Sequence, residues 1–167
     1  LIQSCVNTSN TIDKGYYPVS DSQATTETKE LMSLLHETQK EGILLGHQDY
    51  LVYGSAWIGK EGWSDVKRVT GDYPAIAGYD LGKIESGLDV NIDSVSFADI
   101  RNKIITSYEQ GIISTISWHA DNPLTRNNYE DTSINNIVER LLPGGSYSPE
   151  FIASSQNSAR YCYRFSR

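Results

Sequence analysis

Three short apolar segments of this 167-residue chain each end in aromatic and polar side chains. The segments span residues 42–46, 74–78 and 111–117, and each is typical of a strand that is covered on both faces. The residues that follow them are His47, Gln48, Asp49, Tyr79, Asp80, Trp118 and His119. A flat aromatic ring packs on the apolar face of a sugar, and short polar groups bond its hydroxyls. The pattern predicts a polar-ligand site at the carboxyl ends of three strands.

The end of the third segment carries the most candidate residues. Trp118 and His119 are neighbours, so their side chains point to opposite faces if the strand continues through them. Trp118 is interpreted either as a core tryptophan or as a platform for a sugar ring. His119 stands beside Asp121 and Asn122, which favours a polar site over a place in the core. Pro123 then predicts an extended turn.

The first segment ends in His47 and Gln48, which are candidates for ligand contact, and in Asp49, which either contacts the ligand or braces the following loop. A metal site needs several converging His, Cys or carboxylate ligands. The chain has three histidines, and His36 lies in a predicted helix. A two-histidine site with Asp80 stays open as an alternative, but we predict no metal.

Asp80 and Glu85 follow the second segment. Such acidic groups either contact substrate, act as an acid or base, or pair with a nearby His, Arg or backbone amide. The glycines Gly78, Gly82 and Gly87 do not have the spacing of a phosphate-binding loop, and we predict no cofactor.

The stretches around these segments have helical patterns. Helices are predicted from Thr26 to Lys40, from Ser64 to Val69, between Ser96 and Gly111, and from Asp131 or Thr132 to Pro143. In the third helix, Phe97, Ile100, Ile104 and Tyr108 form one apolar face. Strands separated by such helices run parallel through right-handed crossovers. The predicted fold class is therefore α/β: a helix and then the first three βα units of a (β/α)8 barrel, whose C-terminal half is missing because a whole barrel needs about 250 residues.

Composition narrows the function classes. The net charge of −7 argues against nucleic acid as a partner, because phosphate binding needs clustered Lys and Arg. With 38% hydrophobic and 21% charged residues, a folded domain is favoured over disorder. No apolar run approaches the about 20 residues of a membrane-spanning helix.

The two ends of the chain lack the pattern of the middle. Residues 1–28 are predicted to be a tail or tether, residues 29–145 the barrel portion, and residues 146–167 an irregular tail that is foreign or frameshifted. The stretch up to Cys5 is similar to the end of a bacterial lipoprotein signal, apart from Gln3, and predicts a lipid anchor at Cys5. An ordinary N-terminal tail and a disulfide between Cys5 and Cys162 are the alternatives left open.

Several ordered motifs resemble the N-terminal part of glycoside hydrolase family 26. They are residues 42–49, Tyr53-Gly54, residues 64–66, 70–75 and 78–82, Ser117-Trp118-His119 with Asn122-Pro123, and residues 142–145. The resemblance runs from about Leu31 to Gly145 and implies a (β/α)8 barrel that hydrolyses β-1,4-mannan with retention. It implies substrate binding by Trp118, His119 and Asn122 near the −1 side of the cleft, and by His47 and Gln48 at the first strand. Tyr79, Asp80 and Trp57 are further candidates for substrate contact from their places in the sequence.

The resemblance also implies the setting of the protein. The expected partner is β-mannan or a manno-oligosaccharide, and the expected state is a monomer. Export is expected in a bacterium, to the periplasm, to the cell surface as a lipoprotein, or to the medium.

One departure from the family pattern bears on activity. The family places its acid/base glutamate in a His-Glu motif that ends strand four, and its nucleophile at the end of strand seven. The sequence contains neither segment, and its one His-Glu pair, His36-Glu37, belongs to the helix before the first strand. Retaining hydrolysis needs two carboxylates about 5–5.5 Å apart. The 167-residue chain is therefore expected to be inactive, and no catalytic residue is assigned.

Two other function classes remain as alternatives. The first is a non-catalytic or vestigial carbohydrate-binding protein with Trp57, Trp63 and Trp118 as stacking platforms. The second is an unrelated barrel hydrolase, such as a metal-dependent deacetylase.

Overall fold

A computed structural model describes residues 17–146 and the single positions Pro149, Ala153 and Gln156. The chain forms two compact units that divide between Leu44 and Leu45. Cys5 and Cys162 lie outside the described residues, so the lipid anchor and the disulfide stay predictions. The predicted boundaries at residues 28 and 145 stay predictions as well.

The first unit contains one helix, α1, over Thr26–Glu41, close to its predicted bounds. The side chain of Thr25 caps it by accepting a hydrogen bond from the Thr28 N–H. Glu37 accepts a 2.8 Å bond from Lys40 one turn later, and this bond lowers the pKa of Glu37. His36 stacks on the ring of Tyr17, with 3.9 Å between centroids. The His36-Glu37 pair is thus part of the helix surface, as the sequence predicts.

The second unit holds all the described strands. In chain order its elements are β1 (Gly46–Gln48), β2 (Tyr53–Gly54), β3 (Trp57–Ile58), α2 (Asp65–Thr70), β4 (Ile76–Asp80), α3 (Phe97–Glu109), β5 (Ile113–Ser117) and α4 (Ile137–Leu141). A short 3₁₀ helix spans Ile84–Ser86 between β4 and α3. Within the ranges that the structure describes, no helix has the length and apolar character needed to cross a bilayer.

The main sheet consists of three parallel strands in the order β1-β4-β5. This confirms the three predicted strands and their direction. The first strand lies later in the chain than predicted: it spans Gly46–Gln48, whereas the sequence predicts residues 42–46. Ile43, which is predicted to lie in this strand, is outside it and exposed. The register aligns His47 with Ala77 and Gln48 with Gly78.

The core lies between the sheet and α3. Its buried apolar side chains are Tyr50, Leu51, Val52, Ala77, Tyr79, Leu81, Ile84, Val95, Phe97, Ile100 and Ile112. The hydroxyl of the fully buried Ser107 lies 2.7 Å from the hydroxyl of Tyr79 and 3.1 Å from that of Tyr50. The prediction for Tyr108 is wrong, since this residue is exposed. Ser107 is on the buried face of α3 because it satisfies two buried tyrosine hydroxyls.

Two predicted helix starts are confirmed by their caps. The Ser64 side chain accepts from the Lys67 N–H at the start of α2, and the Ser96 side chain accepts from the Asp99 N–H at the start of α3. Each cap satisfies an N–H that has no partner within the helix.

Two local features differ from the prediction. Residues 50–62, expected to be a loop, contain the antiparallel hairpin β2–β3. The last helix begins at Ile137, later than predicted at Asp131 or Thr132. Asp131 accepts from the Ser133 N–H in a turn, and Asn136 adopts a left-handed conformation (φ 57°), so the chain enters the helix only after Asn136.

Candidate functional site

The carboxylate of Asp80, the last residue of β4, organises the carboxyl edge of the sheet. Its Oδ1 accepts a 2.6 Å bond from the Gly82 N–H. Its Oδ2 accepts from the Ser117 hydroxyl (2.7 Å) and lies 2.6 Å from Nδ1 of His119, within hydrogen-bond distance. The Asp80 side chain is 3% exposed. A carboxylate buried here is tolerated because three polar groups converge on it within hydrogen-bond distance.

Glycine at position 82 permits this arrangement. A Cβ there would lie 2.7 Å from Oδ1 of Asp80 and 3.2 Å from the carbonyl oxygen of His119. The backbone can approach the carboxylate only without a side chain.

His119 combines a fixed nitrogen with an exposed ring edge. Nδ1 is bonded to Asp80, and the ring of Tyr129 packs edge-on against the imidazole with 4.8 Å between centroids. The side chain is nevertheless 48% exposed. His119 is therefore oriented by its neighbours and accessible to a ligand.

Trp118 is held by a second carboxylate. Its indole Nε1 donates a 2.9 Å bond to Glu85, which also accepts a 2.6 Å bond from the Asp121 N–H. The tryptophan is 36% exposed, so it is not a buried core residue, and its role as a platform for a sugar ring stays a prediction. Lys83 adds an ion pair with Asp121 at 2.8 Å, which ties the loop after β4 to the loop after β5.

Asn122 builds the loop that carries Tyr129. Its Oδ1 accepts from the N–H groups of Leu124 and Thr125, and its Nδ2 donates to the carbonyl of Asp131. The side chain is buried and bonded within the loop, and the contact of Asn122 with substrate stays a prediction. Its effect on the site is through the shape of this loop.

A second polar group lies at the end of β1. Asp49 is buried, with a left-handed backbone (φ 52°), and Oδ2 accepts from Gln48 (3.2 Å) and from the Tyr53 hydroxyl (3.4 Å). Its Oδ1 has no hydrogen-bond partner among the described residues. Burial raises the pKa of Asp49, and burial together with the nearby charges of Asp49 and Asp93 raises the pKa of Tyr53 to about 12.

The strand register decides which predicted residues face the same way. Asp80 pairs with Ser117 and Gln48 pairs with Gly78, and all of these side-chain positions lie on one face of the sheet. His47 pairs with Ala77, two residues before Tyr79, and so lies on the opposite face.

The alternation also places two further candidates. Tyr79 is fully buried, and its hydroxyl donates to the carbonyl of Lys103 in α3. His47 is on the same face as Tyr79, away from Asp80, and its Nδ1 is buried. Both residues end apolar runs, but an alternating strand sends only every second side chain to one face, so Tyr79 and His47 lie on the face opposite Asp80. Their contact with substrate stays a prediction.

Trp57 is not brought together with Trp118 and His119 in the contacts of the described residues. Its indole Nε1 donates a 3.0 Å bond to Asp65 at the start of α2. Its role toward substrate stays a prediction. No group of three or more His, Cys, Asp or Glu side chains able to hold a metal ion occurs in the part of the chain that the structure describes.

A comparison with protein-family models shows which family the chain belongs to. Residues 20–142 match the model of glycosyl hydrolase family 26. The chain belongs to this family. The resemblance that the motifs indicate is thereby confirmed. The match covers β1, β4 and β5, and with them the polar residues around Asp80 and those around Asp49.

Relatives of family 26 extend the comparison. A mannan endo-1,4-beta-mannosidase of Bifidobacterium adolescentis is 35% identical over a 143-residue alignment, and the match covers 80% of this chain and 13% of the relative. A family 26 β-mannanase structure from Bacteroides ovatus superposes with a TM-score of 0.78 at 38% identity, covering 83% of this chain and 40% of that one. A modular endo-β-1,4-mannanase from Cellulomonas fimi gives 0.69 at 31% identity, covering 84% and 32%. The chain thus spans well under half the length of these relatives.

These likenesses confirm the α/β class with a parallel sheet and agree with a portion of a family 26 barrel. Sequence reasoning missed Ser117 and Tyr129 as parts of the site. Ser117 could have been found from the alternation of β5, because it pairs with Asp80. Tyr129 lies in a loop without periodicity, and no sequence signal marks it.

Proposed function

We propose that this chain forms part of the substrate cleft of a β-1,4-mannan hydrolase, and that Trp118 and His119 bind a mannose residue. One observation carries the proposal: an exposed indole and an exposed imidazole are adjacent at the carboxyl edge of a parallel sheet, and each is held by a carboxylate. The names of the family 26 relatives, a mannan endo-1,4-beta-mannosidase and β-mannanases, support mannan as the ligand.

The chemistry of the two side chains suits a pyranose. The C–H groups of a sugar ring pack on an aromatic face, and an imidazole nitrogen bonds a hydroxyl. Because Glu85 and Asp80 fix the two rings before the ligand arrives, little rotamer freedom is lost on binding.

We further propose that the 167-residue chain binds without hydrolysing. The carboxylates of Asp80, Glu85 and Asp121 all accept hydrogen bonds from groups that they position. Retaining hydrolysis would require a carboxylic acid and a free carboxylate about 5–5.5 Å apart across the glycosidic bond. The carboxylates of this site are engaged in structural bonds instead.

Calorimetric titration with mannohexaose, with cellohexaose for comparison, tests the binding. Trp118→Ala is expected to weaken mannohexaose binding about tenfold, because a tenfold change corresponds to about 1.4 kcal/mol, a typical loss for one aromatic contact. His119→Ala is expected to weaken it about fivefold, the size of one hydrogen bond. A reducing-end assay on galactomannan checks turnover.

Tyr108→Ala is the matched control, because Tyr108 is an exposed aromatic residue near the end of α3, just before the start of β5, and so at the opposite edge of the sheet. It should leave the affinity unchanged. Equal losses in all three variants, or no binding by a folded chain, would refute the proposed ligand. Turnover of galactomannan by the 167 residues would refute the claim of binding alone.

The alternative of a carbohydrate-binding protein with Trp63 as a further platform has less support. Nζ of Lys60 lies 3.3 Å from the centroid of the Trp63 ring, so one face of that ring is already covered.

A further inference from the structure

We propose that Asp80 is a positioning residue that fixes the tautomer of His119, so that Nε2 of His119 is a hydrogen-bond acceptor for a ligand hydroxyl. This inference rests on the proposed function for the identity of the ligand. Its first step, the tautomer, can be measured without any ligand.

The argument starts from the surroundings of Asp80. Its Oδ1 faces the Gly82 N–H at 2.6 Å, and its Oδ2 faces the Ser117 hydroxyl at 2.7 Å. The Gly82 N–H can only donate. The Ser117 hydroxyl also lies 3.2 Å from the carbonyl oxygen of Tyr79, but it is closer to Oδ2 and donates there, so the carboxylate has the pattern of contacts expected for the ionised, acceptor-only form. Nδ1 of His119, at 2.6 Å from Oδ2, must then carry the proton and donate it.

The neutral imidazole has one protonated nitrogen and one bare nitrogen. With the proton on Nδ1, the bare nitrogen is Nε2, which accepts hydrogen bonds and cannot donate them. The His119 side chain is half exposed, and Nε2 has no hydrogen-bond partner among the described residues. The ligand therefore meets an acceptor.

The arrangement resists reorientation. The Asp80 carboxylate is anchored through both oxygens, one to the backbone after β4 and one to the last residue of β5. The imidazole is also packed edge-on against Tyr129. A ring flip of His119 would break the bond to Asp80 and leave a buried carboxylate oxygen with one donor fewer, which is costly.

The consequence is a selection rule for the ligand. A sugar hydroxyl can donate a hydrogen bond to Nε2. A ligand that offers only an ether or carbonyl oxygen at this point would place one acceptor against another, and no hydrogen bond could form. Asp80 thus acts on the ligand through His119, without touching it.

Long-range ¹H–¹⁵N correlation spectra of the full 167-residue chain, labelled with ¹⁵N, test the tautomer directly. At about pH 8, where free imidazole is neutral, each of the three histidines shows which nitrogen is protonated. The His119 signals are assigned by their loss in His119→Gln. We expect a protonated Nδ1 and a bare Nε2, and the reverse pattern in the wild-type chain would overturn the proposal.

Asp80→Asn provides the second measurement. The amide keeps an acceptor for the Gly82 N–H but presents an NH₂ to His119, so Nδ1 must accept and the proton is expected to move to Nε2. Affinity for mannohexaose should then fall about tenfold. Asp72→Asn is the matched control, because Asp72 also accepts a backbone N–H, from Tyr73, but lies at an exposed position before β4. It should change neither the tautomer nor the affinity.

The outcomes separate the two proposals. A wild-type chain with the expected tautomer that binds no manno-oligosaccharide would refute the proposed function and retain the role of Asp80. A chain that binds mannohexaose with a protonated Nε2, or an Asp80→Asn variant that keeps the wild-type tautomer, would refute the role of Asp80. If Asp80→Asn does not fold, the wild-type spectrum alone decides.

Discussion

Two aspartates at the same edge of the sheet, Asp80 after β4 and Asp49 after β1, have similar burial and opposite surroundings. Asp80 receives three donors at 2.6–2.7 Å. Asp49 receives two at 3.2 and 3.4 Å, and its Oδ1 has no partner among the described residues. The comparison shows that burial of a carboxylate does not by itself indicate its role. The donors decide whether it stabilises the protein or costs free energy.

The largest expected difference concerns stability. Asp80→Ala leaves the Gly82 N–H, the Ser117 hydroxyl and His119 without their acceptor, and should lower the free energy of unfolding by about 3 kcal/mol. Asp49→Ala removes only two long bonds together with an incompletely bonded carboxylate, and should cost about 1 kcal/mol or less. Urea unfolding followed by tryptophan fluorescence at neutral pH measures both. Equal losses would show that the two carboxylates are equivalent.

The sequence predicts part of the surroundings of Asp80. Pairing with a nearby histidine is one of the roles that its position allows, and the structure shows this pairing, whereas contact of Asp80 with substrate stays a prediction. The caps at Ser64 and Ser96 were also predictable, because capping is local and depends on residues within one turn.

What the sequence leaves open depends on long-range geometry. Tyr79 and His47 end apolar runs and are predicted to contact the ligand, yet strand alternation places both on the face opposite Asp80. Which face is which follows from the packing of α3, and the sequence of a strand covered on both faces does not mark it. The substrate contact predicted for Asn122 stays a prediction, and its bonds within the loop depend on where the chain returns at Asp131.

A pH titration sharpens the comparison at Asp49. Because burial raises the pKa of Asp49 in the folded chain, the folded state binds this proton more tightly than the unfolded state. The contribution of Asp49 to stability is therefore greatest at low pH and is lost as pH rises from about 4, the ordinary range of aspartate, through the raised value.

Asp49→Asn should abolish this dependence, because the amide does not titrate and asparagine tolerates the left-handed backbone at this position. Urea unfolding from acid to neutral pH should show that the variant gains stability relative to the wild type as pH rises. This effect is expected to be smaller than that of Asp80→Ala. A wild-type chain that gains on the variant over this range would contradict the sign.

The smallest expected effect tests whether Gln48, which precedes Asp49, shares the ligand face with Asp80. The Gln48 side chain lies over Gly78, where a Cβ would overlap its amide. Gly78→Ala should displace this flexible side chain at a cost of about 1 kcal/mol or less in the free energy of unfolding. Gly78→Ala and Gln48→Ala should each lower the affinity for mannohexaose about threefold, which corresponds to one weak hydrogen bond. Since both substitutions act through one side chain, the double variant should lose no more affinity than either single variant.

Gly42→Ala is the control, because a Cβ at Gly42 meets nothing within 4 Å and its backbone is extended. Additive losses in the double variant would mean that Gly78 affects ligand binding by a route other than Gln48. An unchanged affinity in Gln48→Ala would show that β1 does not contribute to ligand binding. Among the described residues, the site would then consist of the edge formed by β4 and β5.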